Sequence, residues 1–400
     1  MKSKNTSYEE KIDHLRFFAA TLVLLFHSVV TWYVWKPLGT DQIRVSPIYN
    51  LLLEGHTAVG LFMTLSGFLF ATICRDKEIN IWSFYRNRVL RIYPLFLTLL
   101  LLSCYISPGE NNLKSLLTSL FCLQNLGSAV HCDWLTEVLW TVSVEFQFYL
   151  IFPFLLVFFR KYSYKYLIGI IVLFSLLRLA AYMATGNIKA LSYNTIFGRI
   201  DEFIIGMVLG FLFPQIKDKL RHPAWLLFSF VPIYLCASLI HACGGLVNSV
   251  KSPIWISWHT LEGMAWGLVI VAYNASIFQF PSRISKALAF AGSVSFSMYV
   301  THYFFLRLSK WLIMPVCFPE QFVSKIFLPL FQQLHTHPFT TSLIFGSCMV
   351  FPATFFLSIL TYFIIEKPFL EMRTSYTKRL PLPKDAHEER AEHLVLPARV

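Results

Sequence analysis

Apolar runs of about twenty residues, separated by short polar or basic stretches, recur from one end of the chain to the other. A helix needs ~20 predominantly apolar residues to cross ~30 Å of hydrocarbon. On that measure the pattern predicts spans at 15–35, 52–74, 90–107, 138–159, 165–184, 196–214, 225–243, 259–280, 287–308 and 341–365. The shorter runs 113–126 and 320–334 read as interfacial helices, so the count is ten or eleven. The expected architecture is all-α, a polytopic transmembrane bundle. Residues 1–370 form one membrane domain, and 371–400, polar, charged and proline-containing, form a poorly ordered cytoplasmic tail. The polar lead and the 21-residue first run lack an A-x-A-like cleavage site and read as an uncleaved anchor. No internal period of 20–50 residues is present.

Composition agrees with this picture. The chain is 56% hydrophobic and only 14% charged, against ~25% charged in soluble domains; its mean hydropathy is +0.57. A soluble Rossmann or TIM-barrel enzyme, a disordered tail protein and a secreted disulfide scaffold are all excluded. The net charge of +12 would suggest nucleic acid in a soluble domain, but its distribution explains it here. With the N-terminus inside, 24 Lys and Arg fall in cytoplasmic segments, eight outside and two, Arg178 and Arg199, within spans. That bias predicts both termini in the cytoplasm, with no nucleic-acid partner.

An ionisable residue within a span is expensive unless it faces protein or water, so each is a functional candidate. Arg16 and His27 are eleven residues apart, about three turns at ~3.6 residues per turn, and share a helix face ~16 Å apart along the axis. The plain alternative is a snorkelling arginine and a packing histidine. Arg86, Arg88 and Arg91 precede Pro94; Arg88 and Arg91 share a face entering the membrane, where guanidinium forks suit phosphate. Glu145 lies about seven residues, or ~10 Å, below the outer surface, and with Ser143 and Gln147 is expected to line a polar cavity. Arg199, Asp201 and Glu202 enter the sixth span together, with mutual pairing as the alternative. His302 lies in the outer half of the ninth span, whereas Glu54 and His56, near an outer mouth, read as solvated. Cys122 and Cys132 share an outside loop and are placed to pair if that side is oxidising.

No phosphate-loop, G-x-S-x-G or H-x4-D motif occurs. Neither C-x-x-C nor H-E-x-x-H spacing is present, so no metal site is expected.

Taken in order, these segments resemble the acyltransferase-3 family of bacterial integral-membrane enzymes. Arg16 to His27 matches the R-x10-H signature, and Val59 to Leu69, with Gly60, Ser66 and Gly67, is similar to V-x-L-F-F-x-L-S-G-F. The Arg88 segment resembles R-x-x-R-I-x-P, the Glu145 span W-S-L-S-x-E-x-Q-F-Y, and Glu366-Lys367-Pro368 the final E-x-P. Asn87 departs from a common Arg or Lys, and Thr301 from a common Trp. The resemblance implies a multi-pass protein of the bacterial inner membrane that moves an acyl group, most often acetyl, from cytoplasmic acyl-CoA to a glycan or lipid-linked saccharide such as O-antigen or another surface polysaccharide. No SGNH-type esterase domain is expected after the last span. In this reading Arg86, Arg88 and Arg91 hold acetyl-CoA, and His27 acts as general base or acyl carrier with Arg16 and Glu145. Ser143, Gln147, His302 and Arg199 meet the acceptor, while the motif glycines and Ser66 allow close packing. A transporter of a glycan precursor is the main alternative; it predicts inverted repeats, and no such halves are found. A purely structural partner in glycan assembly ranks last, since it leaves the Arg16/His27 register without purpose.

Overall fold

The computed structural model describes residues 9–33, 49–313 and 338–379; the predicted helix at 320–334 and residues 380–400 lie outside them. The chain is overwhelmingly helical. Its main elements are α1 (Glu10–Tyr33), α2 (Ala58–Cys74), β1 (Lys77–Ile79), α3 (Ile81–Ile106), α4 (Leu113–Leu120) and α5 (Leu139–Thr185). They continue with α6 (Lys189–Asn194), α7 (Ile196–Ile216), α8 (Pro223–Ala242), α9 (Trp258–Ala275), α10 (Ser282–Ser293) and α11 (Ser295–Ile313). The apolar stretch Ser342–Glu371, α12, and β2 (Thr377–Arg379) close the fold.

Six of the described helices are long and apolar enough to cross a membrane: those at Glu10–Thr31, Gly55–Cys74, Ile81–Ile106, Leu139–Thr185, Pro223–Ala242 and Ser342–Glu371. The sequence pattern predicts ten spans; the predicted span 259–280 is the 18-residue α9, made polar by His259, Glu262 and Asn274, and three further causes account for the rest of the difference. The predicted spans 138–159 and 165–184 form the single element α5, which breaks at Ser163, where φ is 64°. The predicted span 287–308 is interrupted at Val294 between α10 and α11. Arg199, Asp201 and Glu202, all in the first two turns, make α7 too charged by this measure.

Straight, the 47 residues of α5 would extend ~70 Å, more than twice the hydrocarbon thickness. Instead the element doubles back. Arg160, just before the break, donates to the carbonyls of Cys74 and Lys77 at the end of α2, whereas Arg178 reaches Asp201 at the start of α7. The bundle therefore has two distinct ends. One gathers the start of α1 with the ends of α2, α7 and α9, as where Lys11 Nζ donates to Tyr273 O at 3.0 Å. The other gathers the starts of α2, α7 and α9, as where Trp266 Nε1 donates to Thr57 O.

Helices α2 and α7 form the closest pair because glycines remove the side chains between them. A Cβ on Gly67 would sit 2.0 Å from Phe203 O, and one on Gly206 2.0 Å from Thr64 O. Backbones can meet this closely only through such small residues. Side chains such as Leu101, Phe154, Val172, Leu227 and Phe356 are exposed around the periphery, as suits a surface facing lipid. Helix α4, eight residues with an Asn112–Ser115 capping box, occupies the predicted 113–126 run.

The fold is not wholly helical. Strands β1 and β2 pair antiparallel, with Lys77 opposite Arg379, and Asn87 Nδ2 donates to Thr374 O at 2.6 Å. These bonds draw the first residues after α12, assigned from sequence to a poorly ordered tail, against the start of α3.

Candidate functional site

A cavity of about 770 Å³ opens at the end of the bundle where α1 begins. That is the usual size of a small-molecule or cofactor site. Arg16, Arg88, Arg91 and Arg373 all line it, with Asn87, Ser66, Glu145 and Tyr149. Arg16 Nη1 donates to Asp13 at 2.7 Å and Arg91 Nη1 to Glu366 at 2.8 Å. Arg88 instead stacks on rings, 5.0 Å from Phe70 and 5.4 Å from Phe84, and its Nε has no hydrogen-bond partner. Burial, and then repulsion from Arg91, Arg88 and Arg16, pull Arg373 down to about 10. Arg88, with a free Nε–H and no carboxylate partner, beside Arg91 and Arg373 on the same wall, is suited to an anion such as phosphate.

The cavity ends against Phe62, Thr141 and Tyr299. Phe62 packs edge-on to Tyr299 at 5.8 Å, and the Tyr299 hydroxyl is hydrogen-bonded to Thr141 at 2.9 Å. Behind this layer, outside the cavity lining, stand His27 and His302. His27 Nδ1 and His302 Nε2 are 2.9 Å apart, and His302 Nδ1 lies 2.6 Å from Tyr299 O. A carbonyl only accepts, so His302 Nδ1 carries its proton and a neutral His302 offers Nε2 as an acceptor. His27 Nδ1 then donates to it, and His27 Nε2 is left with a lone pair. Two imidazoles in series on a backbone carbonyl therefore hold a base in one tautomer.

At the opposite end the charges pair among themselves. Arg178 Nη2 meets Asp201 at 2.6 Å, and Arg199 Nη1 meets Glu202 at 3.1 Å, all fully or almost fully buried. His259 Nδ1 faces Glu202 at 2.6 Å and Glu262 at 3.0 Å. These three side chains bring ligand-type atoms within 4.8 Å of one another, but the adjoining Arg199 guanidinium opposes a divalent cation there. Glu54 and His56, read from sequence as solvated, are only 3% and 1% exposed. They bond to each other at 3.2 Å, and His241 reaches Glu54 at 3.0 Å.

Three other placements differ from the sequence reading. Arg86 is exposed and is not part of the cavity lining, where Asn87 and Arg88 stand. Ser143 donates to Gln124 at 2.9 Å, and Gln147 to Cys122 O at 2.8 Å; neither lines the cavity. Residues two apart on a helix point ~200° apart, at ~3.6 residues per turn, so Ser143 and Gln147 face away from Glu145. Thr141, Glu145 and Tyr149, at i, i+4 and i+8, share the cavity face, and this spacing was a signal available in the sequence. Glu145 accepts from Ser66 at 3.4 Å and from Tyr149; the partner of His27 is His302. Among the described residues Cys122 and Cys132 are buried free thiols.

Comparison with known proteins supplies the family. A family model described as "Acyltransferase domain", of the acyltransferase-3 type, matches residues 9–366. "Acyltransferase MdmB" of Streptomyces mycarofaciens is 31% identical over 157 residues, 35% of this chain and 37% of that protein. "O-acetyltransferase OatA" of Staphylococcus aureus is 22% identical over 236 residues, 54% of this chain and 37% of its own length. A third relative, "Putative O-acetyltransferase SAS0844" of Staphylococcus aureus, is 24% identical over 332 residues, 76% of this chain and 51% of its own length. The matched regions thus span between about a third and a half of these curated relatives. No solved structure matches. With several apolar helices and a family model that takes in nearly the whole chain, this multi-pass membrane protein belongs to the acyltransferase-3 family.

Proposed function

We propose that the protein is a membrane O-acyltransferase that moves an acetyl group from acetyl-CoA, or another acyl-CoA, to a hydroxyl of a cell-surface or lipid-linked glycan. The carrying observation is an arginine-lined cavity that ends on Tyr299, with the His27–His302 pair directly behind it. The names of the relatives and the excess of Lys and Arg on one side support the same reading. In this proposal the chain crosses the bacterial inner membrane ten times with both termini in the cytoplasm, and the cavity opens to the cytoplasm.

Arg88, Arg91 and Arg373 hold the phosphates of CoA. The pantetheine arm runs inward past Arg16 and Glu145 towards Tyr299, whose side chain swings aside to let the thioester through. His27 Nε2 takes the proton of the acceptor hydroxyl as its oxygen attacks the thioester carbonyl. The new C–O bond forms, the C–S bond breaks, and the proton on His27 passes to the departing thiolate of CoA. His302 keeps the imidazole in the reactive tautomer throughout. A transient acyl-His27 is the other route, separable by acid quench and peptide mapping.

The test uses membranes carrying wild type or His27→Ala with radiolabelled acetyl-CoA, following free CoA and label in the polysaccharide fraction. Label that disappears with His27 supports the reading. Undiminished transfer by correctly inserted His27→Ala overturns it.

A further inference from the structure

Four aromatic rings face the guanidinium of Arg88, and they come from four different parts of the chain. Its Cζ lies 5.0 Å from the centre of Phe70 on α2, 5.4 Å from Phe84 on α3, 5.5 Å from Tyr149 on α5 and 5.9 Å from Tyr376. The first three rings sit within helices. Tyr376 arrives from beyond α12, on a short strap, 374–379, that ends in β2. Backbone and side-chain bonds hold this strap against the start of α3. The Asn87 side chain pairs with the Thr374 backbone in both directions, Nδ2 donating to Thr374 O at 2.6 Å and Oδ1 accepting from Thr374 N at 3.1 Å. Tyr376 O accepts from Asn80 N at 2.8 Å, and β2 then pairs with β1. The Tyr376 ring packs edge-on to Phe84 at 5.3 Å. Thr374 and Tyr376 both line the cavity, so the strap is one of its walls.

Holding an arginine by rings differs chemically from holding it by a carboxylate. A carboxylate neutralises the guanidinium and occupies its N–H groups, as Asp13 does for Arg16 and Glu366 for Arg91. The negative face of a ring attracts the same charge and takes no hydrogen bond in return. Rings therefore fix Arg88 in place while its buried Nε–H stays without a partner. The charge and that donor are both left for an anion entering the cavity.

We infer that Tyr376 is a positioning residue for anion binding: carried by the strap that Asn87 fastens, its ring completes the aromatic cage that aims Arg88 into the cavity. This rests on the reading of the cavity as the donor site, and it brings into that site a segment beyond the last apolar helix. The test is a series of single and double substitutions on the full chain in nanodiscs. Dissociation constants of acetyl-CoA and of inorganic pyrophosphate are measured by equilibrium dialysis.

Tyr376→Leu, which fills much of the space but has no ring, is expected to weaken both ligands about three- to tenfold, the worth of one desolvated cation–ring contact. Asn87→Ala, which unfastens the strap, should weaken them to a similar degree. Tyr376→Phe keeps the ring and should bind within about twofold of wild type, which guards against misfolding of the leucine variant. In an Arg88→Met background Tyr376→Leu should have no further effect, because the ring acts through Arg88. Equal weakening by Tyr376→Leu in both backgrounds would make the ring mere filling and overturns the inference. Wild-type binding by Tyr376→Leu or Asn87→Ala also overturns it, as does a Tyr376→Phe variant as weak as the leucine one, which would assign the effect to the hydroxyl. Pyrophosphate bound with the expected dependence, while acetyl-CoA does not bind, counts against the acyltransferase reading and leaves the cage standing; binding of neither overturns both.

Discussion

The two ends of the bundle both pair arginines with carboxylates, Arg16 with Asp13 and Arg91 with Glu366 at the cavity end, but Arg88 there is held differently. At the start of α7 each guanidinium has a carboxylate of its own, Arg178 with Asp201 and Arg199 with Glu202. At the cavity end Arg88 is held by aromatic rings, and Arg373 is crowded by Arg16, Arg88 and Arg91. A buried charge with its own partner holds helices together, whereas one stacked on rings and facing a cavity is placed for a charge brought by a ligand. Residue type alone therefore does not separate structural from functional arginines; whether each one lines the cavity does.

The largest expected effect lies at the boundary between the ends. His27→Ala should lower the rate of transfer ~10²–10⁴-fold, the usual worth of a positioned acid–base group, without loss of acetyl-CoA binding by equilibrium dialysis. Loss of donor binding instead would place His27 in the cavity after all. Next is a paired substitution of like residues. Arg178→Met strands Asp201 and should destabilise the fold by ~3–5 kcal/mol, read as a lower Tm in detergent. Arg88→Met should leave the Tm nearly unchanged and weaken acetyl-CoA binding about tenfold or more, from loss of a charged hydrogen bond worth ~1.5–3 kcal/mol. Equal effects of the two on stability would break the comparison.

A smaller effect is expected at Tyr299. Tyr299→Ala opens the layer between cavity and base, so water should reach the thioester; CoA release without label in polysaccharide should rise several-fold relative to transfer. An unchanged ratio would show that Tyr299 does not separate donor from base. The smallest belongs to Ser143→Ala, which touches neither end: transfer within about twofold of wild type in the same assay. A loss comparable to that of His27→Ala would put Ser143 back in the site.

Much of this was legible in advance, and the misses have causes. The apolar runs located the helices because hydrocarbon demands length and hydropathy of any segment that crosses it. Arg16, Arg88, Arg91 and Glu145 stood out because charge within such runs needs a reason. Ser143 and Gln147 were placed with Glu145 by nearness in sequence, although helical periodicity sets them on the other face. Glu54 and His56 read as solvated because loop position was taken for exposure; His241 and the start of α2 bury them. Arg373 gave no signal, since it lies beyond the last apolar run and comes to the cavity with the end of α12, where Leu370 and Glu371 also line it.

The sequence by itself determined that this is a membrane protein, where its helices fall and which charges need explaining, because these depend on local composition and on a helical period common to all chains. Only the tertiary structure decided which of those charges meet. The His27–His302 contact spans 275 residues, and the division into a self-paired end and a cavity end depends on glycines that let α2 and α7 touch and on a break at Ser163 that turns α5 back on itself. Contacts between distant segments follow from how whole helices pack, which no local pattern encodes.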